Sequence, residues 1–210
     1  MKNILITLLL LTFPLNYAFA QSGEYQSGTH YIEIANPIEI NADRDQRGEI
    51  LIFFKYTCPA CYQLHPFIEA WQSTLDDSIV VKKVPVFQPG FYSNAYYAAD
   101  ILDLDDGFHL AVYQAIHQTK QPLRSIDEFA RLASLYGVDE ERFLNTANSF
   151  SVNIKASQAM KTAGQAQIPG TPYILVNGKY LLSGRMLGSN ERMLEVAEYL
   201  VKHDNLAETG

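Results

Sequence analysis

The chain holds two cysteines, Cys58 and Cys61, within the stretch KYTCPACYQLHPF that runs from Lys55 to Phe67. A disulfide between them would close a loop too short to constrain the unfolded chain much. Tight loops also add strain, and strained disulfides are the labile ones. The pair therefore reads as a reagent. Pro59 suits the first turn of a helix, which puts Cys58 where that helix begins. Unpaired N–H groups and the helix dipole favour a thiolate there. The thiolate is both the attacking and the leaving species in disulfide exchange. Cys61, one turn on, is placed to resolve a mixed disulfide formed at Cys58. Pro59 and Ala60 form the loop between them.

Other uses of the pair fit less well. A structural disulfide at this spacing would stabilise little. A zinc site could recruit Cys58, Cys61 and His65, but a closed structural site takes four ligands and there is no second cysteine pair. Covalent haem needs histidine directly after the second cysteine, and Tyr62 stands there. No metal and no cofactor is expected beyond a redox-active Cys58–Cys61 disulfide. His65 reads as a helix-surface residue.

The elements around the pair must position it. Glu49 to Tyr56 is a β-rich apolar run read as a buried strand. From Cys61, apolar residues recur at Leu64, Ile68, Trp71 and Leu75 with helical spacing. Ser78 to Val86 reads as a further strand, and Thr29 to Ile34 as a first one. From Pro89 to about Gln167 the pattern is helical, with Ser125 and Glu128 forming a capping signature. Strand signals return at Pro172 to Val176. Asn177-Gly178 is a hairpin signal, Lys179 to Leu182 is the partner strand, and Ser189 or Asn190 caps a last helix. The fold class expected is α/β, a thioredoxin fold with an inserted all-helical domain. Its parts are residues 21–88 and 167–210 for the thioredoxin domain, and 89–166 for the insertion. Pro172, at the start of a buried strand, suits a strand terminus because it cannot donate a ladder bond. A cis Thr171–Pro172 bond would aim the Thr171 main chain at the cysteines. Pro169 is a rival for that place.

Residues 1–20 have the pattern of a cleaved secretory signal: Lys2, an apolar run from Ile4 to Leu11, and Ala18-Phe19-Ala20 as the cleavage site. The run is short for a membrane span. The chain has 210 residues and a formal charge of −7, and losing the leader removes one lysine. An acidic balance without a basic run speaks against nucleic acid.

FFKYTCPACYQLHP, the helical stretch and TPYILVNGKYLL together resemble the DsbA family of periplasmic thiol:disulfide oxidoreductases, over roughly residues 29 to 203. The resemblance implies that Cys58 is the nucleophile, Cys61 the resolving cysteine, and Pro172 a cis-proline preceded by Thr171. It implies donation of a disulfide to newly secreted, reduced or unfolded proteins. Reoxidation by a quinone-linked membrane partner of the DsbB type, a periplasmic location and a monomeric state go with it. The chain departs from the pattern in three places. Ala60 stands where histidine is frequent, which implies a milder oxidant with a Cys58 pKa still below that of free cysteine. Ile52 stands where a buried acid is frequent. Thr171 replaces a frequent valine. Lys55, Lys83 and His65 are candidate electrostatic modulators. An isomerase or reductase is the alternative within the same chemistry. A non-catalytic thioredoxin-like chaperone, with Phe53, Tyr56, Tyr62, Phe91 and Tyr92 as an apolar patch, is the alternative outside it.

Overall fold

A computed structural model describes residues 25–39, 47–88, 90–121 and 123–204. The expected leader and its cleavage site lie outside these residues. Strand β2 (Gly48–Phe54) is the centre of the molecule, and all seven of its residues are buried. It pairs in parallel with β3 (Ile79–Pro85) and antiparallel with β4 (Tyr173–Val176). Strand β4 continues into β5 (Tyr180–Leu182), and β5 pairs antiparallel with the two-residue β1 (Ile32–Glu33). The sheet order is β1-β5-β4-β2-β3. Strand β1 is shorter than the alternation from Thr29 suggests, because Thr29 and His30 turn back on Gln26 through main-chain hydrogen bonds.

Alternation along β2 assigns its two faces. Ile50 and Ile52 pack with Leu64 and Ile68 of α1 (Pro59–Gln72) and with Met193, Ala197 and Leu200 of α8 (Asn190–His203). Leu51 and Phe53 pack against Ala159 and Ala163 of α6 (Phe150–Gln165). Helices α2 (Gly90–Ile101), α3 (Asp106–His117), α4 (Ile126–Ser134) and α5 (Glu140–Ala147) build a second core around Phe108, Phe129 and Phe143. The helical run between β3 and β4 is thus split in use. Its last helix covers the sheet, and the other four make a cluster of their own. Phe54, Tyr56, Cys58 and Cys61 belong to that second cluster, so the end of β2 and the start of α1 sit where the two cores meet.

Local chemistry accounts for most boundaries. Asp105, Asp139, Ser149 and Ser189 cap α3, α5, α6 and α8 by accepting main-chain N–H bonds. The capping signature at Ser125 resolves differently. Its side chain makes no cap bond, and the Glu128 carboxylate instead accepts the Arg124 N–H at 2.6 Å. Gly188, at φ +79°, closes the short α7 (Gly184–Leu187) in the left-handed region that glycine favours. The Asn177-Gly178 turn has both residues at positive φ, 50° and 63°, as a type I′ hairpin requires. Asn177 also locks the sheet to the C-terminal helix. Its Oδ1 accepts the Glu49 N–H and its Nδ2 donates to Asp204, both at 3.0 Å.

Asn177→Ala removes both bonds and leaves the buried Glu49 N–H unpaired, a loss of about 2 kcal/mol. Urea unfolding should show a lower midpoint with an unchanged slope.

Candidate active site

Cys58 is the N-cap residue of α1, with extended φ −91° and ψ 117°, and Pro59 follows as the first helical residue. No side chain caps this helix. Its first main-chain N–H groups are thereby left to the Cys58 sulfur. The Lys55 carbonyl accepts the Cys58 N–H at 3.1 Å, which turns the chain from strand to helix. Both cysteines are free thiols. Cys58 is 8% exposed and Cys61 2%. The first sulfur is more covered than an open nucleophile would be, because the segment before β4 sits on it.

That segment carries a cis Thr171–Pro172 bond. The Thr171 carbonyl lies 3.4 Å from Cys58 Sγ and accepts its S–H. The Thr171 hydroxyl oxygen is buried and has no hydrogen-bond partner. Sequence elements 113 residues apart are therefore in contact at one sulfur. Pro172 joins Cys61 on the wall of a small cavity behind the pair. Pro169 is not on that wall.

The two thiols differ in their acidity. The Cys58 pKa is lowered to about 5. A hydrogen bond from Cys61 is the largest cause; burial opposes it, and the Cys61 and Ala60 N–H groups and the Thr171 side chain add to it. Cys61 is pushed the other way, well above the ordinary thiol range, by its bond to Cys58 and by burial. One proton shared between two sulfurs thus leaves a charged outer atom and a neutral inner one.

The three candidate modulators sit in different surroundings. His65 is not on the helix surface. It is 4% exposed, because it shares the buried stripe of α1 with Cys61, Leu64 and Ile68 and because Tyr113 of α3 covers it at 5.3 Å between ring centroids. Burial, then Lys83, lowers its pKa to about 4, so it is uncharged at neutral pH. Lys83 forms ion pairs with Glu69 and with Asp106, the latter at 2.9 Å. Lys55 enters the site through its main chain. Ile52 is an apolar wall of the cavity behind Cys61.

The aromatic residues also divide. Phe53 and Tyr56 are fully buried and Tyr92 is 4% exposed. Phe53 faces α6 on the far side of the sheet. Tyr62 and Phe91 are partly buried. Tyr62 stacks on His117 at 5.2 Å, and the His117 imidazole bonds the Tyr56 carbonyl at 2.7 Å. His109, His117, Glu69 and Asp106 were not singled out in the sequence. Three of them lie on or beside α3, at separations that local periodicity does not reveal.

Comparison with known proteins agrees with this geometry. A family model described as a DSBA-like thioredoxin domain matches residues 91–201. The thiol:disulfide interchange protein DsbA of Pseudomonas aeruginosa is 30% identical over 99% of each chain. The DsbA of Burkholderia cepacia is 33% identical over 96% of this chain and 97% of its own. The chain belongs to the DsbA family. A crystal structure of Pseudomonas aeruginosa DsbA superimposes with a TM-score of 0.78 at 30% identity, covering 85% of this chain and 93% of that one. The fold is the DsbA-like thioredoxin fold with its inserted helices, and the chain is a thiol:disulfide oxidoreductase. Among the described residues no helix is long and apolar enough to cross a membrane, and no cluster of His, Cys, Asp and Glu has the form of a metal site.

Thiolate absorbance of the reduced protein should titrate with a midpoint near 5. Cys61→Ala removes the leading cause and should raise that midpoint towards the free-thiol value of about 8.5 without reaching it, since the helix N–H donors remain. The depressed folded pKa also fixes a stability trend. The stabilisation of the reduced fold is complete above the unfolded thiol's pKa of about 8.5 and is lost as pH falls through the folded value. Denaturant midpoints of the reduced protein, measured against the oxidised one between pH 4 and pH 9, should rise with pH.

Proposed function

We propose that this protein oxidises thiols of exported polypeptides, with Cys58–Cys61 as its only redox group. A client thiolate attacks the Cys58 sulfur, the Cys58–Cys61 bond breaks, and Cys61 leaves and takes up a proton. A second client thiolate then attacks the client sulfur of the mixed disulfide. The client leaves oxidised, and Cys58 leaves as a thiolate. What supports this reading most is the placement of Cys58 at the uncapped start of α1 against the Thr171 carbonyl, with Cys61 buried beside it and the Cys58 pKa lowered. A stable Cys58 thiolate is a good leaving group, which drives the disulfide towards the client. Pro172 and Thr171 hold the main chain that faces Cys58, and Pro59 and Ala60 shape the helix start that stabilises it.

The leader-like residues 1–20 support export, and an exported oxidase of this family fits the periplasm. A membrane reoxidase of the DsbB type would restore the disulfide, and the protein would act as a monomer. A cysteine-to-serine form of Proteus mirabilis DsbA, a fold relative at 22% identity and TM-score 0.71, has a complex structure with the peptide PWATCDS bound non-covalently. A peptide segment of a client is the corresponding ligand here.

Equilibration against glutathione decides between oxidase and reductase. The expected potential lies nearer to about −120 mV, the DsbA value, than to about −270 mV, the thioredoxin value. A value at the thioredoxin end would sink the oxidase reading. Cys58→Ser should abolish oxidation of a reduced, unfolded client. Retained protection of that client from aggregation, with no oxidation by the unaltered protein, would favour a chaperone instead.

A further inference from the structure

In each half of the cycle Cys61 changes its protonation state, although it is 2% exposed. When a client breaks the Cys58–Cys61 bond, Cys61 leaves as a thiolate and must gain a proton. When an oxidant forms a mixed disulfide at Cys58, the Cys61 thiol must lose a proton before it can attack. Cys61 stays buried in that intermediate, and burial disfavours its thiolate, so unaided loss is slow at neutral pH.

Behind Cys61 lies a small cavity of about 20 Å³, room enough for one water. Tyr56, His65, Lys83, His109 and Tyr113 are among its walls. A second, open groove of about 970 Å³ runs outside β3. Lys83, Tyr96 and His109 line both spaces. His109 thus stands between the inner cavity and the outer groove. Its Nδ1 lies 2.6 Å from the Tyr56 hydroxyl, and Tyr56 is fully buried.

We propose that Tyr56 and His109 form a proton relay between the Cys61 sulfur and the outer groove. It rests on the assignment of Cys61 as the resolving cysteine. In the outward direction the Cys61 thiol gives its proton, through a water in the cavity, to the Tyr56 oxygen. The Tyr56 proton passes to His109 Nδ1, and the proton on Nε2 leaves to the groove. The Cys61 thiolate then attacks the Cys58 sulfur, forms the internal disulfide and expels the thiolate held there. Client oxidation runs the same proton path inward. The imidazole changes tautomer in one half-reaction and is returned in the other.

The surroundings of His109 suit this use. Lys83 faces it from β3, His65 from α1, and Asp105 and Asp106 from the preceding turn. Tyr96 of α2 packs on it at 5.1 Å. Burial, then Lys83, lowers its pKa to about 4 and keeps the ring neutral. The Tyr56 pKa is raised well above its ordinary value by burial. Neither group holds a charge, so each is free to accept and donate at once.

The test separates the two sulfurs in time. Reduced protein is mixed with oxidised glutathione, quenched in acid at intervals, and its glutathionylated and internally oxidised forms are counted by mass. The first form reports attack by Cys58 and the second reports attack by Cys61. Tyr56→Phe and His109→Gln should slow the second step at neutral pH on the order of 100-fold, the low end for lost acid–base assistance. The mixed disulfide should accumulate, and the residual rate should rise with hydroxide. The first step should keep its rate. An unchanged second step in either variant overturns the relay, as does an equal slowing of both steps, which would mark a packing role. If neither variant folds, the unaltered protein decides in mixtures of light and heavy water. A curved dependence of the second step on deuterium content is expected, because more than one proton moves, and a linear one overturns the relay. Cys61→Ser should stop at the mixed disulfide whether or not the relay exists. A failure there would instead refute the role of Cys61.

Discussion

The hydrogen bond between the two thiols, set at the first turn of α1, is the interaction from which the chemistry of this site follows. It makes one sulfur acidic and the other weakly so, although both belong to the same short loop. Because no side chain caps the helix, its first N–H groups are also left to the Cys58 sulfur. A cap of the kind found on α3, α5, α6 and α8 would compete for those donors. The active helix is thus the one whose N-terminal donors are given to a thiolate instead of to a serine or an aspartate.

The rest of the fold holds that turn in place from three sides. Strand β2 delivers it from below and is buried along its whole length. The cis-proline segment before β4 closes it from above through the Thr171 carbonyl. The inserted helices close the third side, where Tyr113 and His117 of α3 lie against Tyr62 and His65. On that side Lys83, Glu69 and Asp106 join three elements in one charged cluster. Burial raises the Glu69 pKa to about 7, with its bond to Asp106 adding to the rise, while Asp106 is lowered to about 2 against the effect of burial by its bonds to Glu69 and Lys83. Of the three, Lys83 reaches the wall of the cavity behind Cys61, to which Ile52 gives an apolar face.

Several features of the site were legible in the residues themselves. Pro59 after Cys58 marks the helix start, because proline tolerates the first turn and little else of a helix. The β-rich run before the cysteines marks the central strand, and Asn177-Gly178 marks the hairpin, since two positive φ angles suit those residue types. These are local constraints, each settled within a few neighbours. His65 shows where local reasoning stops. Its helical position was visible, but its burial depends on α3, which approaches from nearly fifty residues away in the chain. The same holds for Ser125, whose expected cap was displaced by the Glu128 carboxylate turning to Arg124.

By itself the sequence determined where the cysteine pair sits, the helix that follows it, the strands around it and the family it resembles, because each follows from residue type and short spacing. The tertiary structure decided how far the Cys58 sulfur is covered, that the Thr171–Pro172 bond is cis, and which side chains surround Cys61. Those properties depend on contacts between segments more than a hundred residues apart, as between Thr171 and Cys58. A thiol's acidity reflects the donors and the solvent that reach it, and only the folded chain brings those donors together and excludes that solvent.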